Sequence, residues 1–159
     1  MEVEIFIAGP TSLGGINAVI EASKGSWGYD PAYLRRALPL LRVDARYLAH
    51  NTCFEARADG EVVGFAALAR RDGLALLDHL WVAPLAQHRG IGRDLFDRCV
   101  EAASGATSLR IISDPPAEAF YVRLGAERVA MVSSRVAGGP KFPVLELRLL
   151  PPGLAPMLL

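Results

Sequence analysis

An α+β fold is the architecture that this sequence predicts, with a mixed sheet of about six to seven strands and flanking helices. Short apolar segments separated by Asp–Gly pairs are typical of antiparallel hairpins. A glycine-rich loop between a strand-like segment and a segment with helical spacing indicates a crossover to a parallel strand. The 159 residues, 52% of them hydrophobic and 21% charged, suffice for one well-buried core.

The N-terminal third is predicted to combine one strand with short helices. Segment 2–8 alternates apolar and polar residues, and 13–24 has apolar residues at helical spacing. The Asp–Pro pair at 30–31 is typical of the cap and first residue of a helix. Pro39 must end or kink that helix, because its ring crowds the preceding turn. Asp44 is predicted to cap a further short helix.

The rest of the chain is predicted to complete the sheet. Asp59–Gly60 and Asp72–Gly73 separate the three strands of an antiparallel meander, which lie at 53–58, 61–70 and 74–82. A helix then crosses to a strand that must run parallel to the third of these. That parallel strand lies at 107–113 and is followed by a short helix at 117–124. A final antiparallel pair lies at 127–133 and 142–149.

One domain is expected over 1–150, followed by an apolar, proline-rich tail at 151–159. The tail either packs on a second subunit, in which case the protein is a homodimer, or is disordered. Cys53 and Cys99 are far apart in the sequence, and Cys99 lies among apolar residues at helical spacing. Two buried thiols in a reducing compartment are therefore expected rather than a disulfide.

Charge and hydropathy exclude several classes of partner. The formal net charge is zero, so no broad positive field favours a nucleic acid. No stretch approaches the ~18 apolar residues of a membrane helix, and the N-terminus lacks the basic start and apolar run of a signal peptide. We therefore expect a cytoplasmic protein with no nucleic-acid or membrane partner.

The stretch Gln-His-Arg-Gly-Ile-Gly at 87–92 is the most informative motif of the chain. It joins a predicted strand to a predicted helix, where free backbone N–H groups and the helix dipole favour an anion. No Lys follows Gly92, which disfavours a nucleoside-triphosphate loop, and Leu95 stands where a dinucleotide fingerprint needs its third glycine. The stretch is either a phosphate cradle or a helix start that needs only small residues.

A second motif, Asp-Pro-Pro-Ala-Glu-Ala-Phe-Tyr-Val-Arg-Leu-Gly-Ala, occupies 114–126. It resembles N-x-x-A-x-x-F-Y-x-x-x-G-[FA], a late motif of the GNAT superfamily of N-acetyltransferases. The cradle at 87–92 resembles the Q-x-x-G-x-G motif by which that superfamily binds the pyrophosphate of coenzyme A. Asp114 stands where Asn is usual, and Ala126 where Phe is commoner.

The resemblance implies a GNAT-like fold in which the two central parallel strands splay apart. It also implies acetyl-coenzyme A as cosubstrate and no metal. The pantetheine arm would lie in the gap and pair with the backbone of Leu80, Trp81 and Val82 like an added strand. Further cofactor contacts are implied for Gln87, His88, Arg89, Gly90, Ile91, Gly92, Arg93, Asp114, Ala117, Phe120 and Tyr121.

The same resemblance suggests residues for proton transfer. Tyr121 matches the general acid that protonates the departing thiolate, or is a core tyrosine with a solvated hydroxyl. A base must take a proton from the acceptor ammonium. Asp78 and His79 are adjacent on a strand, which predicts opposite faces. Asp78 is expected to be the base, or to order the water that acts as one, because desolvation between Leu76 and Leu80 would make its carboxylate more basic. Otherwise either residue is a structural polar group.

Two aromatic residues, Trp27 and Tyr29, interrupt the helical pattern near the N-terminus. Their segment resembles the variable acceptor-side loop of the superfamily. They either wall a pocket for a small apolar or aromatic amine, or staple two helices together.

These features predict an N-acetyltransferase that uses acetyl-coenzyme A and acts on an amine of a small molecule or peptide by direct attack on the thioester. The alternative is a non-catalytic acyl-coenzyme A binding module or sensor, which keeps the cradle and transfers nothing. Tyr121 and the polar residues of the strand favour the enzyme.

Overall fold

The computed structural model describes residues 1–149. The strands are β1 (Val3–Ile7), β2 (Thr52–Ala58), β3 (Glu61–Arg71), β4 (Leu74–Val82), β5 (Ser108–Ile112), β6 (Glu127–Ser133) and β7 (Lys141–Arg148). The helices are α1 (Leu13–Gly25), α2 (Pro31–Leu41), α3 (Ala45–His50), α4 (Ile91–Ala102) and α5 (Glu118–Arg123). The predicted tail at 151–159 lies outside the described residues.

The strands form one mixed seven-stranded sheet in the order β1-β2-β3-β4-β5-β7-β6. Neighbours from β1 to β4 are antiparallel, and so are the neighbours from β5 to β6. β4 and β5 are parallel and are connected through α4. The predicted α+β class and the parallel crossover are therefore confirmed.

The turns of the β2–β3–β4 meander have the predicted backbone geometry. Asp59 and Gly60 have φ values of 52° and 80°, and Asp72 and Gly73 have values of 51° and 79°. Two successive positive φ angles are what a type I′ hairpin turn requires, and this turn matches the twist of the flanking strands. The Asp–Gly pairs therefore determine where the meander reverses.

The helix starts agree with the sequence, and at Pro39 the structure excludes one of the two predicted outcomes. Asp30 Oδ1 accepts the backbone N–H of Ala32 at 3.0 Å, and Asp44 Oδ1 accepts that of Tyr47 at 2.8 Å. Both predicted caps are confirmed. Pro39 does not end α2, which continues to Leu41. Proline removes its own N–H bond and crowds the preceding turn, but it leaves the residues after it free to stay helical.

Apolar layers cover both faces of the sheet. On the α4 face, Leu95 and Phe96 pack against Leu109 of β5. On the α1 face, Ile16 packs against Phe65 of β3. Both cysteines are buried and free, as expected. No helix of residues 1–149 is long and apolar enough to cross a membrane.

β4 and β5 separate toward their C-terminal ends. They pair at three positions, of which the last joins Leu77 to Ile111, while β4 continues to Val82. Residues 78–82 of β4 therefore have no partner on β5. This gap confirms the predicted splayed strands and leaves a strand edge open inside the fold.

A β-bulge marks the position where the two strands separate. Ala67 of β3 pairs with His79, and the next residue, Leu68, pairs with Leu77. Asp78 is therefore the extra residue of the bulge and has no partner on β3. A bulge inserts one unpaired residue and redirects the side chains that follow it.

Candidate active site

A cavity of about 470 Å³ occupies the gap between β4 and β5. Fifteen of the predicted cofactor and catalytic residues line it, namely Asp78, His79, Leu80, Trp81, Val82, Gln87, His88, Gly90, Ile91, Gly92, Arg93, Asp114, Ala117, Phe120 and Tyr121. Arg89, a predicted cofactor residue, is exposed and lies outside the lining. Two motifs that are separate in the sequence thus meet around one cavity.

The phosphate cradle has the geometry of an open helix N-terminus. Gly90 precedes α4 in the left-handed conformation, with φ of 81°, and no side chain caps the helix. The first intrahelical bond runs from the N–H of Asp94 to the carbonyl of Gly90. The N–H groups of the preceding turn are therefore free to bind an anion. His88 and Arg93 line the cavity beside them.

Gly92 leaves room for a ligand at the cradle. A Cβ atom at this position would lie 3.5 Å from the Phe120 ring and 3.6 Å from a methyl group of Val82. Such a side chain fits sterically but fills the space between β4 and α5. Gln87 Nε2 donates to the carbonyl of Val82 at 3.2 Å, which fixes the start of the loop. These features fit the pyrophosphate of coenzyme A.

Tyr121 lies deep in the same cavity. It is buried, with its ring centroid 5.1 Å from that of Phe120 and 6.0 Å from that of Phe96. Its hydroxyl makes no hydrogen bond with any described residue. Burial raises the pKa of Tyr121 well above its ordinary value, and the negative charge of Asp114 raises it further. The phenol is therefore protonated at neutral pH, as an ordinary tyrosine also is.

Asp78 and His79 do not lie on opposite faces, which corrects the sequence-based expectation. The hydroxyl of Tyr47 donates to Asp78 Oδ2, and the same tyrosine ring packs edge-on against His79 at 5.4 Å. The bulge is the cause: Leu77 and Leu80 both pack in the α4 layer although they are three residues apart. Asp78 is exposed and not desolvated between leucines, so that argument for its basicity was wrong.

His79 is buried, in contrast to its neighbour. Its Nδ1 accepts the indole N–H of Trp81 at 2.9 Å, an arrangement in which a neutral ring carries its proton on Nε2. Burial lowers the pKa of His79, and the charge of Asp78 opposes part of that effect. The ring therefore stays neutral, and one of its nitrogens is already occupied.

Sequence reasoning missed an ion pair that involves Asp114, a residue of the cavity lining. Lys24 of α1 pairs with Asp114, and the side chains of both are nearly buried. The Lys24 ammonium also lies 4.5 Å, 5.1 Å and 5.5 Å from the ring centroids of Tyr29, Phe142 and Tyr33. Helical spacing offered a signal, because position 24 follows two buried isoleucines, at positions 16 and 20, on one face of α1.

Trp27 and Tyr29 have different environments. Trp27 lines the cavity, and its indole Nε1 is buried without a hydrogen-bond partner among the described residues. Tyr29 lies outside the lining; it donates to Asp114 at 2.6 Å and packs edge-on against Tyr33 at 5.1 Å. For Tyr29 the structure thus agrees with the stapling alternative and not with the predicted acceptor wall.

No group of three or more metal-ligating side chains occurs within residues 1–149. Whether a metal takes part stays a prediction from the resemblance. Homodimer formation and a cytoplasmic location also stay predictions.

Comparison with known proteins agrees with this arrangement. Residues 49–125, which contain the meander, the cradle and most of the late motif, match the model of the acetyltransferase (GNAT) domain family. This part of the chain is a GNAT acetyltransferase domain. The predicted class of enzyme, an N-acetyltransferase, is thereby confirmed. Comparison with curated proteins gives no match.

Solved structures of several N-acetyltransferases share the fold over nearly their full length. The PaiA N-acetyltransferase of Thermoplasma acidophilum, in complex with coenzyme A, is 18% identical, with a TM-score of 0.77 over 93% of this chain and 99% of the other. A GCN5-related N-acetyltransferase of Rhodopseudomonas palustris is 19% identical, with a TM-score of 0.78 over 94% and 97%. The ribosomal-protein-S18-alanine N-acetyltransferase of Escherichia coli is 16% identical, with a TM-score of 0.69 over 97% and 99%.

Proposed function

We propose that this protein transfers the acetyl group of acetyl-coenzyme A to an amine of a small molecule or peptide. The amine attacks the thioester directly. One observation carries the proposal: a single cavity contains an anion-binding helix start, an open strand edge, a buried tyrosine and an exposed carboxylate. Bound acetyl-coenzyme A supplies an acetyl group activated as a thioester.

The cofactor would be bound mainly by backbone groups. The free N–H groups of the first α4 turn receive the pyrophosphate, and Gly92 lets it approach the helix. The backbone of Leu80, Trp81 and Val82 pairs with the amides of the pantetheine arm, because β5 does not reach these residues. The complex of coenzyme A with PaiA, which shares this fold, supports the assignment.

Tyr121 would act as the general acid. It lines the cavity, and its hydroxyl has no hydrogen-bond partner among the described residues. Proton transfer from a positioned side chain typically accelerates a reaction by about 10²- to 10⁴-fold. A phenol can protonate the departing thiolate when the two groups are adjacent.

Asp78 would receive the ammonium form of the acceptor and then take its proton or order the water that does so. It is exposed, lines the cavity and has no cationic partner in residues 1–149. His79 is a weaker candidate, because its Nδ1 is bound to Trp81 and burial disfavours its charged form. Trp27 contributes an apolar wall on the acceptor side.

Coenzyme A and acetyl-coenzyme A are expected to raise the melting temperature, whereas ATP and NAD are not. A ligand at about 100 times its Kd stabilises a protein by about 2.7 kcal/mol, which is several degrees for a domain of this size. Gly92→Val should remove most of the shift, because its side chain fills the cradle.

Gly14→Val is the matched control for this test. Both glycines are the second residue of a helix, and a Cβ atom at Gly14 meets nothing within 4 Å. The control should keep the full shift. A wild-type protein whose melting temperature does not respond to millimolar coenzyme A would refute both the proposed enzyme and the alternative binding module.

Tyr121→Phe separates the enzyme from the binding module. Release of free thiol with a panel of amines measures turnover, and the variant should lose roughly 10²-fold in kcat while keeping the coenzyme A shift. If chemistry is rate-limiting and the variant turns over as fast as the wild type, Tyr121 is a core residue without a catalytic role. Binding without thiol release by the wild type, across the whole panel, would favour the sensor.

A further inference from the structure

Tyr47 is a residue that neither motif contains and that does not line the cavity. It lies on α3, which packs on the α1 face of the sheet. Its hydroxyl reaches the bulge in β4 and donates to Asp78 Oδ2. This contact joins residues 31 positions apart and connects the N-terminal helices to the proposed acceptor site.

Asp78 needs such a contact more than an ordinary strand residue does. Because it is the extra residue of a bulge, no residue of β3 lies opposite it. Its side chain is exposed, so packing does not select one rotamer. Among the described residues, the Tyr47 hydroxyl is the side-chain donor that holds this carboxylate. Asp78 Oδ1 accepts no hydrogen bond from them.

Tyr47 itself is held from several directions. Its N–H is bound by the Asp44 cap at 2.8 Å, and its carbonyl accepts the backbone N–H of Asn51 at 3.2 Å. Its ring packs edge-on against His79, which is held by Trp81. Burial, with the hydrogen bond to Asp78, raises the pKa of Tyr47 far above its ordinary value. Its hydroxyl is therefore a permanent donor.

The charges around this pair leave the carboxylate available to a cation. Its titratable neighbours are the neutral ring of His79, the buried thiol of Cys53 and the hydroxyl of Tyr47. Arg71 is near enough to lower the pKa of Tyr47, but it makes no ion pair with Asp78. The negative charge at the bulge thus has no partner of its own in residues 1–149.

We propose that Tyr47 is a positioning residue, which binds one oxygen of Asp78 so that the other oxygen receives the acceptor ammonium. The inference rests on the proposed function and adds the residue that orients its anionic group. A displacement of about 1 Å at a reacting group can cost about 10²-fold in rate. A rotamer that is fixed by one hydrogen bond should contribute a smaller factor, about tenfold.

The test compares Tyr47→Phe, Asp78→Asn and the double variant. Thiol release gives kcat/KM for the amine, and the thermal shift with coenzyme A reports on the cofactor end of the cavity. Tyr47→Phe should lower kcat/KM about tenfold and leave the shift unchanged. In the Asp78→Asn background the same substitution should cost less than about twofold, because no carboxylate remains to be positioned.

Tyr33→Phe is the matched control, a tyrosine on the neighbouring helix whose hydroxyl makes no hydrogen bond with a described residue. It should change kcat/KM less than about twofold. The inference would be overturned if the losses from Tyr47→Phe and Asp78→Asn were independent and multiplied in the double variant. The proposed function would then remain intact. A wild type that binds coenzyme A but releases no thiol with any amine would refute the proposed function, and the inference with it.

Discussion

Two aspartates line the cavity, and each accepts a hydrogen bond from a tyrosine hydroxyl of the N-terminal helical region. Tyr29 donates to Asp114 at the end of β5, and Tyr47 donates to Asp78 at the bulge of β4. The surroundings differ in one respect. Asp114 also binds Lys24, whereas Asp78 has no cation among the described residues.

The two aspartates also differ in burial. The side chain of Asp114 is 11% exposed and that of Lys24 is 5% exposed, whereas Asp78 is open to solvent. An unpaired charge inside a protein costs several kcal/mol, so a buried carboxylate needs a cation. A carboxylate that faces solvent has no such need. Asp114 is therefore part of the scaffold, whereas Asp78 is available to a ligand.

The largest change in stability is expected when the buried pair of Lys24 and Asp114 is broken. Lys24→Met should lower the free energy of unfolding by about 3 to 5 kcal/mol, because it leaves the Asp114 carboxylate buried without a counter-charge. Chemical denaturation measures the change. Lys141→Met replaces the other lysine of the chain, which is exposed, and should cost no more than about 0.5 kcal/mol.

A second variant distinguishes lost charge pairing from lost packing. Adding Asp114→Asn to Lys24→Met removes the unpaired charge and should recover part of the stability. A double variant that is less stable than Lys24→Met alone would contradict the assigned role of the pair.

The next effect concerns catalysis at the exposed aspartate. Asp78→Asn should leave the free energy of unfolding within about 0.5 kcal/mol of the wild type. It should lower kcat/KM at pH 7 by roughly 10²-fold, about 2.7 kcal/mol, with a smaller loss at higher pH as free amine accumulates. Thiol-release assays across pH measure this. A larger loss in His79→Gln, with the acid limb of the pH profile removed, would reverse the roles of the two residues.

The smallest expected effect is a pH dependence of stability from His79. Burial lowers its pKa in the folded state, so below about pH 6.5 the unfolded chain binds the proton more readily. The contribution of His79 is therefore present above that pH and is lost as pH falls, at up to about 1.4 kcal/mol per pH unit. Denaturation curves at pH 7 and pH 5 measure the loss.

Two glutamine variants identify the residue responsible. His79→Gln should lose less stability than the wild type between pH 7 and pH 5. His50→Gln changes an exposed histidine at the end of α3 and should follow the wild type. If His79→Gln loses as much stability between pH 7 and pH 5 as the wild type does, His79 is not buried in its neutral form.

Local signals in the sequence predict most of the fold. The Asp–Gly pairs placed two hairpin turns, and Asp30 and Asp44 placed two helix starts, because these signals act over a few residues. The order of strand, cradle, helix and strand required a parallel crossover. The strand–loop–helix pattern also predicted the cradle, and the resemblance of the late motif pointed to Tyr121; both line the cavity.

The pairing of the polar side chains of the site depends on contacts between distant parts of the chain. Period-two alternation predicted opposite faces for Asp78 and His79, but a bulge depends on the partner strand and gives no signal in the strand's own pattern. Lys24 and Asp114 are 90 positions apart, and Tyr47 and Asp78 are 31 apart. Such contacts arise from the packing of α1, α3 and the loop before α2 against the sheet. Helical spacing indicates that Lys24 faces the core, but spacing does not say which distant side chain a residue meets. The partners of both aspartates are therefore visible only in the folded molecule.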